Sequence, residues 1–214
     1  VTVDKREVAI TCIHVGVDMP KINAALTDPT FASDSSTWKS KLGNKIVVGG
    51  IDRLERLKGI PLKLICIDQF MEENPQWRGK LMFSIIGISA AERGDDYRIT
   101  VRDVKIAAKS INSKYSNGPG DIVVHFEEKQ EREFNLAQRL AYFTACDLLM
   151  MTATRDGLSR TPMEFTLARH EARKIAESDA TLAAALASDS PSSRSNSNDD
   201  KAPLLQKGHN LVVI

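Results

Sequence analysis

The chain has 214 residues, a net charge of +1 and 42% hydrophobic residues, a composition typical of one globular domain with or without a tail. The balanced charge argues against a nucleic-acid-binding protein, which would carry a basic excess. No run approaches the roughly 18 apolar residues that a membrane span needs, and no signal peptide follows the first charges. We therefore expect a cytoplasmic protein with neither nucleic-acid nor membrane partners.

Short apolar runs alternate along the chain with amphipathic segments of helical spacing. After a polar, serine-rich stretch at 29–40 that is typical of a loop, strands are predicted at 46–48, 80–88, 121–126, 148–152 and 211–214. Helices are predicted at 59–77, 97–111, 131–145 and 161–176. Apolar strands separated by helices favour a doubly wound α/β fold with a mostly parallel sheet. Because such sheets bind ligands at the carboxyl ends of their strands, the loops after the strands are the candidate sites.

This pattern divides the chain into four segments. Residues 1–44 form a lead-in that includes the predicted loop, and residues 45–176 form a Rossmann-like domain. Residues 177–207 include a serine-rich, low-complexity run that is typical of a disordered insertion. Residues 208–214 hold a last strand, after which we expect more protein. Because the chain begins without Met, we also expect it to be cut from something longer.

The cysteines and histidines are scattered. Cys12, Cys66 and Cys146 fit neither a zinc site nor a disulfide framework, and the four histidines form no HxxxH or HExxH pattern. We expect the cysteines to be small buried hydrophobic residues in a reducing compartment. We expect no metal ion in the site.

The first polar cluster follows the strand at 46–48. Gly49 and Gly50 permit a tight turn and the close approach of a ligand. Arg53 and Lys58 can reach one anionic group, and a guanidinium together with an ammonium suits a diphosphate. The same spacing also fits a solvated ion-pair surface. No GxGxxG or P-loop pattern occurs, which excludes the common dinucleotide and P-loop sites.

The second polar cluster, at 155–164, reads R-D-G-L-S-R-T-P-M-E and also lies between a strand and a helix. Thr161 and Glu164 have the form of a capping box around Pro162. The helix N-terminus would point its free N–H groups at the preceding loop and attract phosphate. Glu164 has two open roles, helix capping and acceptance of hydrogen bonds from a ribose diol. A third cluster, at 92–95, offers Arg93 to a phosphorylated second substrate.

Several segments resemble, in chain order, the trehalose-6-phosphate synthases, which are retaining glycosyltransferases of family 20 with the GT-B fold. Residues 51–61 read I-D-R-L-E-R-L-K-G-I-P where the family has V-D-R-L-D-Y-I-K-G-I-P. Residues 70–80 read F-M-E-E-N-P-Q-W-R-G-K where the family has F-L-E-x-x-P-x-W-R-G-K. Residues 152–165 read T-A-T-R-D-G-L-S-R-T-P-M-E-F where the family has T-x-x-R-D-G-M-N-L-V-x-x-E-Y. The matches are collinear from about Ile13 to Arg169.

The resemblance implies that the chain is the donor-binding half, incomplete at its C-terminus, of an enzyme of trehalose biosynthesis. The implied reaction transfers glucose from UDP-glucose to glucose 6-phosphate with retention of configuration and without a cofactor. Arg53 and Lys58 would bind the diphosphate and stabilise the departing UDP. Glu164 would hold the ribose, and Arg93 would approach the acceptor's phosphate. The other implied donor-binding residues are Phe134 at the uracil, Asp156, Gly157, Leu158, Ser159 and Arg160.

The chain departs from the family pattern at Ser159 and Arg160, where the family has Asn-Leu. Arg160 can meet phosphate or can block the sugar. One alternative hypothesis is therefore a noncatalytic relative that senses UDP-sugars or regulates a partner, and another is a similar two-domain transferase with a different nucleotide sugar. Because the resemblance implies an N-terminal half that supplies most acceptor contacts, we expect the isolated chain to bind donor weakly and not to turn over.

Overall fold

The computed structural model of the chain describes residues 2–3, 6–7, 9, 11, 16–89, 94–188 and 211–213. Among these residues, the strands are β1 (Thr2–Val3), β2 (Arg6–Glu7), β3 (Ile46–Arg53), β4 (Leu81–Ser89), β5 (Val124–Gln130), β6 (Leu148–Met150) and β7 (Leu211–Val213). The α-helices of the same residues are α1 (Met19–Leu26), α2 (Pro29–Leu42), α3 (Ile60–Glu73), α4 (Asp95–Tyr115), α5 (Leu136–Thr144) and α6 (Thr161–Ser188).

Strands β3 to β7 form one parallel sheet in the order β5-β4-β3-β6-β7, while β1 and β2 form a separate antiparallel pair. In the register of the sheet, Val48 of β3 lies level with Phe83 of β4 and with Leu148 of β6. The chain runs outward from β3 to β5 and then returns to the opposite side of β3. This reversal creates a switch point between the carboxyl ends of β3 and β6, where sheets of this kind bind ligands. The predicted doubly wound α/β fold is confirmed.

Helices cover both faces of the sheet, so consecutive residues of a strand enter different cores. Val47 of β3 packs into the core that contains residues of α1, α2, α5 and α6, whereas Val48 packs into the core that contains residues of α3 and α4. Buried aromatic residues, including Trp38, Tyr142 and Phe165, belong to the first core. Burial of β3 and β4 between two helical layers explains why these strands are apolar along almost their whole length.

The predicted loop at 29–40 is wrong, because these residues lie in α2. Asp28 caps the helix by accepting a hydrogen bond from the N–H of Thr30 at 2.8 Å, and Gly43 ends it with φ +70°. Phe31, Trp38 and Leu42 recur at helical spacing and are buried. The helices α1 and α2 therefore complete the core of the sheet, so the segment 1–44 is more than a lead-in.

Gly49 and Gly50 lie inside β3, which continues to Arg53, and they do not form the predicted turn. A Cβ on Gly49 would lie 2.4 Å from the Sγ of Cys146, and one on Gly50 would lie 2.7 Å from the Nζ of Lys63. These glycines therefore allow Cys146, just after α5, and Lys63 of α3 to pack closely against the two faces of the strand.

The helix α6 runs from Thr161 to Ser188, past the predicted end at 176, so the predicted insertion at 177–207 begins within a helix. The rest of that insertion, residues 189–207, lies outside the described residues. β7 pairs with β6 in parallel, which confirms the predicted last strand. Smaller shifts affect the strand predicted at 121–126, which is β5, and the helices predicted at 59–77, 97–111 and 131–145, which are α3, α4 and α5.

The cysteines only partly follow the prediction of buried hydrophobic residues. Cys146 is buried, and its burial raises the pKa of the thiol to about 12. Cys66 is exposed, so the prediction is wrong at this residue, and Cys12 lies outside the described residues. In the part of the chain that the structure describes, no helix is long and apolar enough to cross a membrane.

Candidate functional site

A cleft of about 360 Å³ opens at the switch point, where β3 and β6 end. Its size falls within the range of small-molecule sites, and its position is the one that a doubly wound sheet offers to a ligand. Most residues of the two polar clusters meet here. The cleft is lined by Ile51, Asp52, Arg53, Lys58, Ile88, Glu131, Phe134, Arg139, Met151, Asp156, Leu158, Ser159, Arg160, Thr161 and Glu164.

Arg53 and Lys58 line the same cleft, and each has a carboxylate partner. Arg53 ends β3, and its Nη2 lies 3.3 Å from an oxygen of Glu131, with Glu55 farther away at 3.9 Å. Lys58 lies in a 3₁₀ turn, and its Nζ lies 2.9 Å from an oxygen of Asp156. Arg53 therefore takes part in exposed ion pairs, as the hypothesis of a solvated ion-pair surface predicts, and it also faces the cleft. Binding of a diphosphate by Arg53 and Lys58 stays a prediction.

The loops that carry Lys58 and Asp156 are tied to each other. The carbonyl of Leu57 accepts hydrogen bonds from the N–H of Thr154 at 2.9 Å and from its hydroxyl at 3.0 Å. Gly59, with φ +68°, passes so close that a Cβ would lie 2.2 Å from the carbonyl oxygen of Thr152. Only glycine combines this backbone conformation with this approach.

The second cluster supplies the part of the wall next to Lys58. Asp156, Leu158, Ser159 and Arg160 line it, whereas Gly157 lies in the same loop without lining the cleft. Because α6 begins at Thr161, Arg160 takes the N-cap position, and its carbonyl accepts the N–H of Glu164 at 3.0 Å. The predicted capping box with Thr161 as N-cap is therefore wrong.

Glu164 lies in the first turn of α6 and is 6% exposed, yet it reaches the cleft. Its Oε1 accepts a hydrogen bond at 3.2 Å from Nη2 of Arg139, a residue of α5. Phe134, just before α5, is also buried and forms part of the wall, with its ring edge-on to Tyr142 at 6.4 Å.

A buried ion pair lies under the cleft. The Nζ of Lys63 donates to Asp52 at 2.6 Å and to the carbonyl of Met150 at 3.0 Å. Burial raises the pKa of Asp52, and the ammonium of Lys63 opposes that rise. Pairing with Lys63 lets β3 carry a carboxylate at this depth.

Sequence reasoning did not identify Arg139, Lys63 or Glu131 as site residues. Arg139 lies 25 positions before its partner Glu164 and shows no motif of its own. Lys63 lies on an apolar face of α3. A lone charged residue on such a face, together with a carboxylate on the preceding strand, is the sequence signal that could have indicated this ion pair. Arg93 lies outside the described residues.

Among the described residues, no group of three or more His, Cys, Asp or Glu side chains is placed to hold a metal ion. A site without a metal stays a prediction.

The comparison with protein families decides the classification. The model of glycosyltransferase family 20 matches residues 1–189. The chain belongs to glycosyltransferase family 20. Its relatives include alpha,alpha-trehalose-phosphate synthase [UDP-forming] 6 of Arabidopsis thaliana, 26% identical over 172 residues that make up 79% of this chain and 20% of the relative. Synthase [UDP-forming] 2 of Aspergillus niger is 28% identical over 172 residues, 79% of this chain and 35% of the relative.

The family 20 chain thus spans about a fifth to a third of the length of these curated relatives. Among solved structures, it is similar to E. coli trehalose-6-phosphate protein bound with UDP-2-fluoro glucose, with a TM-score of 0.62, 22% identity and coverage of 72% of this chain and 33% of the other. A UDP-forming synthase from Burkholderia xenovorans in complex with glucose-6-phosphate gives a TM-score of 0.63 at 19% identity, covering 72% and 33%. The N-terminal domain of Candida albicans trehalose-6-phosphate phosphatase gives 0.61 at 24% identity, covering 72% and 32%. At these identities the likeness is one of fold.

Proposed function

We propose that the cleft binds UDP-glucose and that the protein to which this chain contributes transfers glucose to glucose 6-phosphate with retention of configuration. The observation that carries the proposal is the convergence of Arg53 and Lys58 on one cleft at the switch point, beside the Asp156 loop. The relatives support UDP as the nucleotide, since they are UDP-forming synthases by name.

Two cations at one edge of the cleft suit the diphosphate of the donor. Arg53 offers a planar fork of N–H groups and Lys58 a compact charge, so together they can neutralise adjacent phosphates. Glu131 and Asp156 pair with these cations within the same cleft. As the glycosidic bond breaks, negative charge grows on the departing UDP, and both cations stabilise it more strongly than in the ground state.

The nucleoside end of the donor is assigned to Glu164 and Phe134, which line the same cleft. A buried carboxylate at Glu164 can accept hydrogen bonds from the two ribose hydroxyls, and Phe134 offers an apolar edge to the uracil. Asp156, Leu158, Ser159 and Arg160 then lie beside the phosphates and the sugar, with Gly157 in the same loop.

The proposal for the acceptor rests on the family resemblance and on the relatives. The synthase from Burkholderia xenovorans is described in complex with glucose-6-phosphate, which supports that acceptor class. Arg93 is proposed to contact the acceptor's phosphate. Further acceptor contacts are proposed to come from a second half of the protein, because the chain covers about a third of such structures.

A second candidate function is a noncatalytic UDP-sugar sensor or regulatory relative. Arg160 favours it, because a long cation lines the cleft where the family pattern has an uncharged leucine. Both candidates require donor binding, but only the enzyme requires turnover.

Calorimetric titration of the chain with UDP and UDP-glucose tests the donor site. We expect Arg53→Ala and Lys58→Ala each to weaken UDP binding by roughly 10- to 100-fold, because each removes hydrogen bonds between charged groups. Arg102→Ala and Lys114→Ala are matched controls, since both residues belong to α4, do not line the cleft and form exposed ion pairs, Arg102 with Asp103 and Lys114 with Asp68 of α3.

Equal UDP affinity in all five proteins, or no affinity in the wild type, would contradict the proposed donor site. Assay of trehalose 6-phosphate formation from UDP-glucose and glucose 6-phosphate, with the complete two-half protein, then separates the candidates. Product formation identifies the enzyme, whereas donor binding without product identifies the sensor.

A further inference from the structure

Arg139 enters the cleft from α5 and meets Glu164, which enters it from α6. The Arg139 side chain is 30% exposed, whereas the Glu164 side chain is 8% exposed. The contact joins Nη2 of Arg139 to Oε1 of Glu164 at 3.2 Å. The arginine thus bridges the buried carboxylate and the open part of the cleft.

Only one edge of the guanidinium is used by this contact. The Nε of Arg139 is buried and has no hydrogen-bond partner among the described residues. An arginine fork normally offers Nε and Nη2 together to a carboxylate. This geometry therefore leaves Nε as a donor for a two-point contact with Glu164.

Glu164 needs a fixed orientation to distinguish one sugar from another. An ionised carboxylate has about four lone-pair sites, and Arg139 occupies one of them at Oε1. The remaining sites can accept two adjacent hydroxyl groups. Without Arg139, the carboxylate would lose its charge partner and its fixed rotation.

We propose that Arg139 is a positioning residue that orients Glu164 and thereby sets the preference of the cleft for ribonucleotides over deoxyribonucleotides. This inference rests on the proposed donor function and deepens it. Arg139 acts through Glu164 and need not touch the nucleotide. A purely structural ion pair would affect stability and all ligands alike, whereas a positioning residue affects ligands that carry the diol.

Titration with three probes, UDP, 2′-deoxy-UDP and inorganic pyrophosphate, separates these roles. We expect the wild type to prefer UDP over 2′-deoxy-UDP by roughly tenfold or more, the value of a hydrogen bond to a charged group. In Arg139→Gln the preference should fall to about threefold or less, while pyrophosphate affinity changes far less than UDP affinity. Arg139→Lys keeps the charge without the planar fork and should give an intermediate preference.

A double-mutant cycle with Glu164→Gln tests whether the arginine acts through the glutamate. Arg139→Gln combined with Glu164→Gln should show the same preference as Glu164→Gln alone. The double variant also leaves neither charge unpaired, so it supplies this comparison if the single arginine variant does not fold.

An unchanged preference for UDP over 2′-deoxy-UDP in Arg139→Gln would overturn the positioning role while leaving the donor site intact. A preference in the double variant that is lower than in Glu164→Gln alone would do the same. Absence of UDP binding in the wild type would instead remove the proposed function and this inference with it.

Discussion

The side chains of Asp52 and Lys63 form an ion pair beneath the cleft and are 3% and 1% exposed. Lys63 also donates to the carbonyl of Met150, so its ammonium joins β3 to β6 at the switch point. A buried pair of this kind adds little net stability, but the loss of one partner leaves an uncompensated charge. The pair therefore fixes the relative position of the two strand ends that bear the site.

Lys63→Met should destabilise the chain by about 3–5 kcal/mol, because it leaves the Asp52 carboxylate buried without its cation. Urea denaturation followed by circular dichroism measures the change. Adding Asp52→Asn should recover most of the loss, since no charge is then buried. A loss no larger than that of the exposed control Arg102→Ala would show that water or another group compensates Asp52.

At the residue scale, the sequence predicts the charged residues that follow strands better than it predicts their partners. Arg53, Lys58 and Glu164 lie at element ends, where the rule for parallel sheets directs attention. Arg139 and Lys63 lie within helices, and their roles depend on which helix faces each carboxylate. That arrangement is fixed by tertiary packing, which periodicity does not encode.

The helix α5 places two wall residues of the cleft through the way it begins. Asn135 and Gln138 form a capping box, in which each side chain accepts the other's backbone N–H at 3.0 Å. Phe134 lies directly before the cap and Arg139 one turn into the helix. The cap therefore fixes the positions of the Phe134 ring and the Arg139 guanidinium together.

Asn135→Ala should lower the free energy of unfolding by about 1 kcal/mol, the usual value of a lost N-cap. UDP affinity should fall as well, because the beginning of α5, which positions Phe134 and Arg139, is no longer fixed by the cap. Thermal and urea denaturation measure the first effect, and calorimetry measures the second. Asn23→Ala, on the exposed side of α1, is the matched control and should be neutral or slightly stabilising. Equal stability of the two variants would argue against the capping role.

At the element scale, predictions from the sequence depend on whether composition and spacing agree. The strand at 46–48 and the helix at 161–176 are found because apolar residues recur there without competing signals. α2 is missed because its serines suggest a loop, although Phe31, Trp38 and Leu42 are spaced as one buried face. The spacing, which reports burial, is more informative here than the serine content.

At the scale of the whole molecule, the sheet is stable only if both of its faces are covered. Phe31, Trp38 and Leu42 belong to the same core as Tyr142, and the rings of Trp38 and Tyr142 lie 5.0 Å apart. Tyr142 in turn donates to the carbonyl of Ser84 on β4. Residues before the sheet therefore hold α5 against the strands, although the sequence pattern places a domain boundary at 44.

A chain that starts at residue 45 should consequently fail to form a fixed tertiary structure. Its exposed α5 face should bind a hydrophobic dye, and its near-ultraviolet circular dichroism should be lost relative to the 214-residue chain. Trp38→Ala in the full chain should show an intermediate effect, a loss of about 3–5 kcal/mol. A shortened chain with a cooperative unfolding transition and native near-ultraviolet signal would restore the boundary at 44.

The hydrogen bonds from Thr154 to the carbonyl of Leu57 have a consequence for how a ligand would be received. Because these hydrogen bonds join the two segments, we expect Lys58 and Asp156 to move together as one unit. A ligand that enters the cleft then mainly orders side chains, so its binding costs little backbone conformational entropy. Substitution of Gly59 by any larger residue would push the two segments apart and increase the backbone flexibility of both.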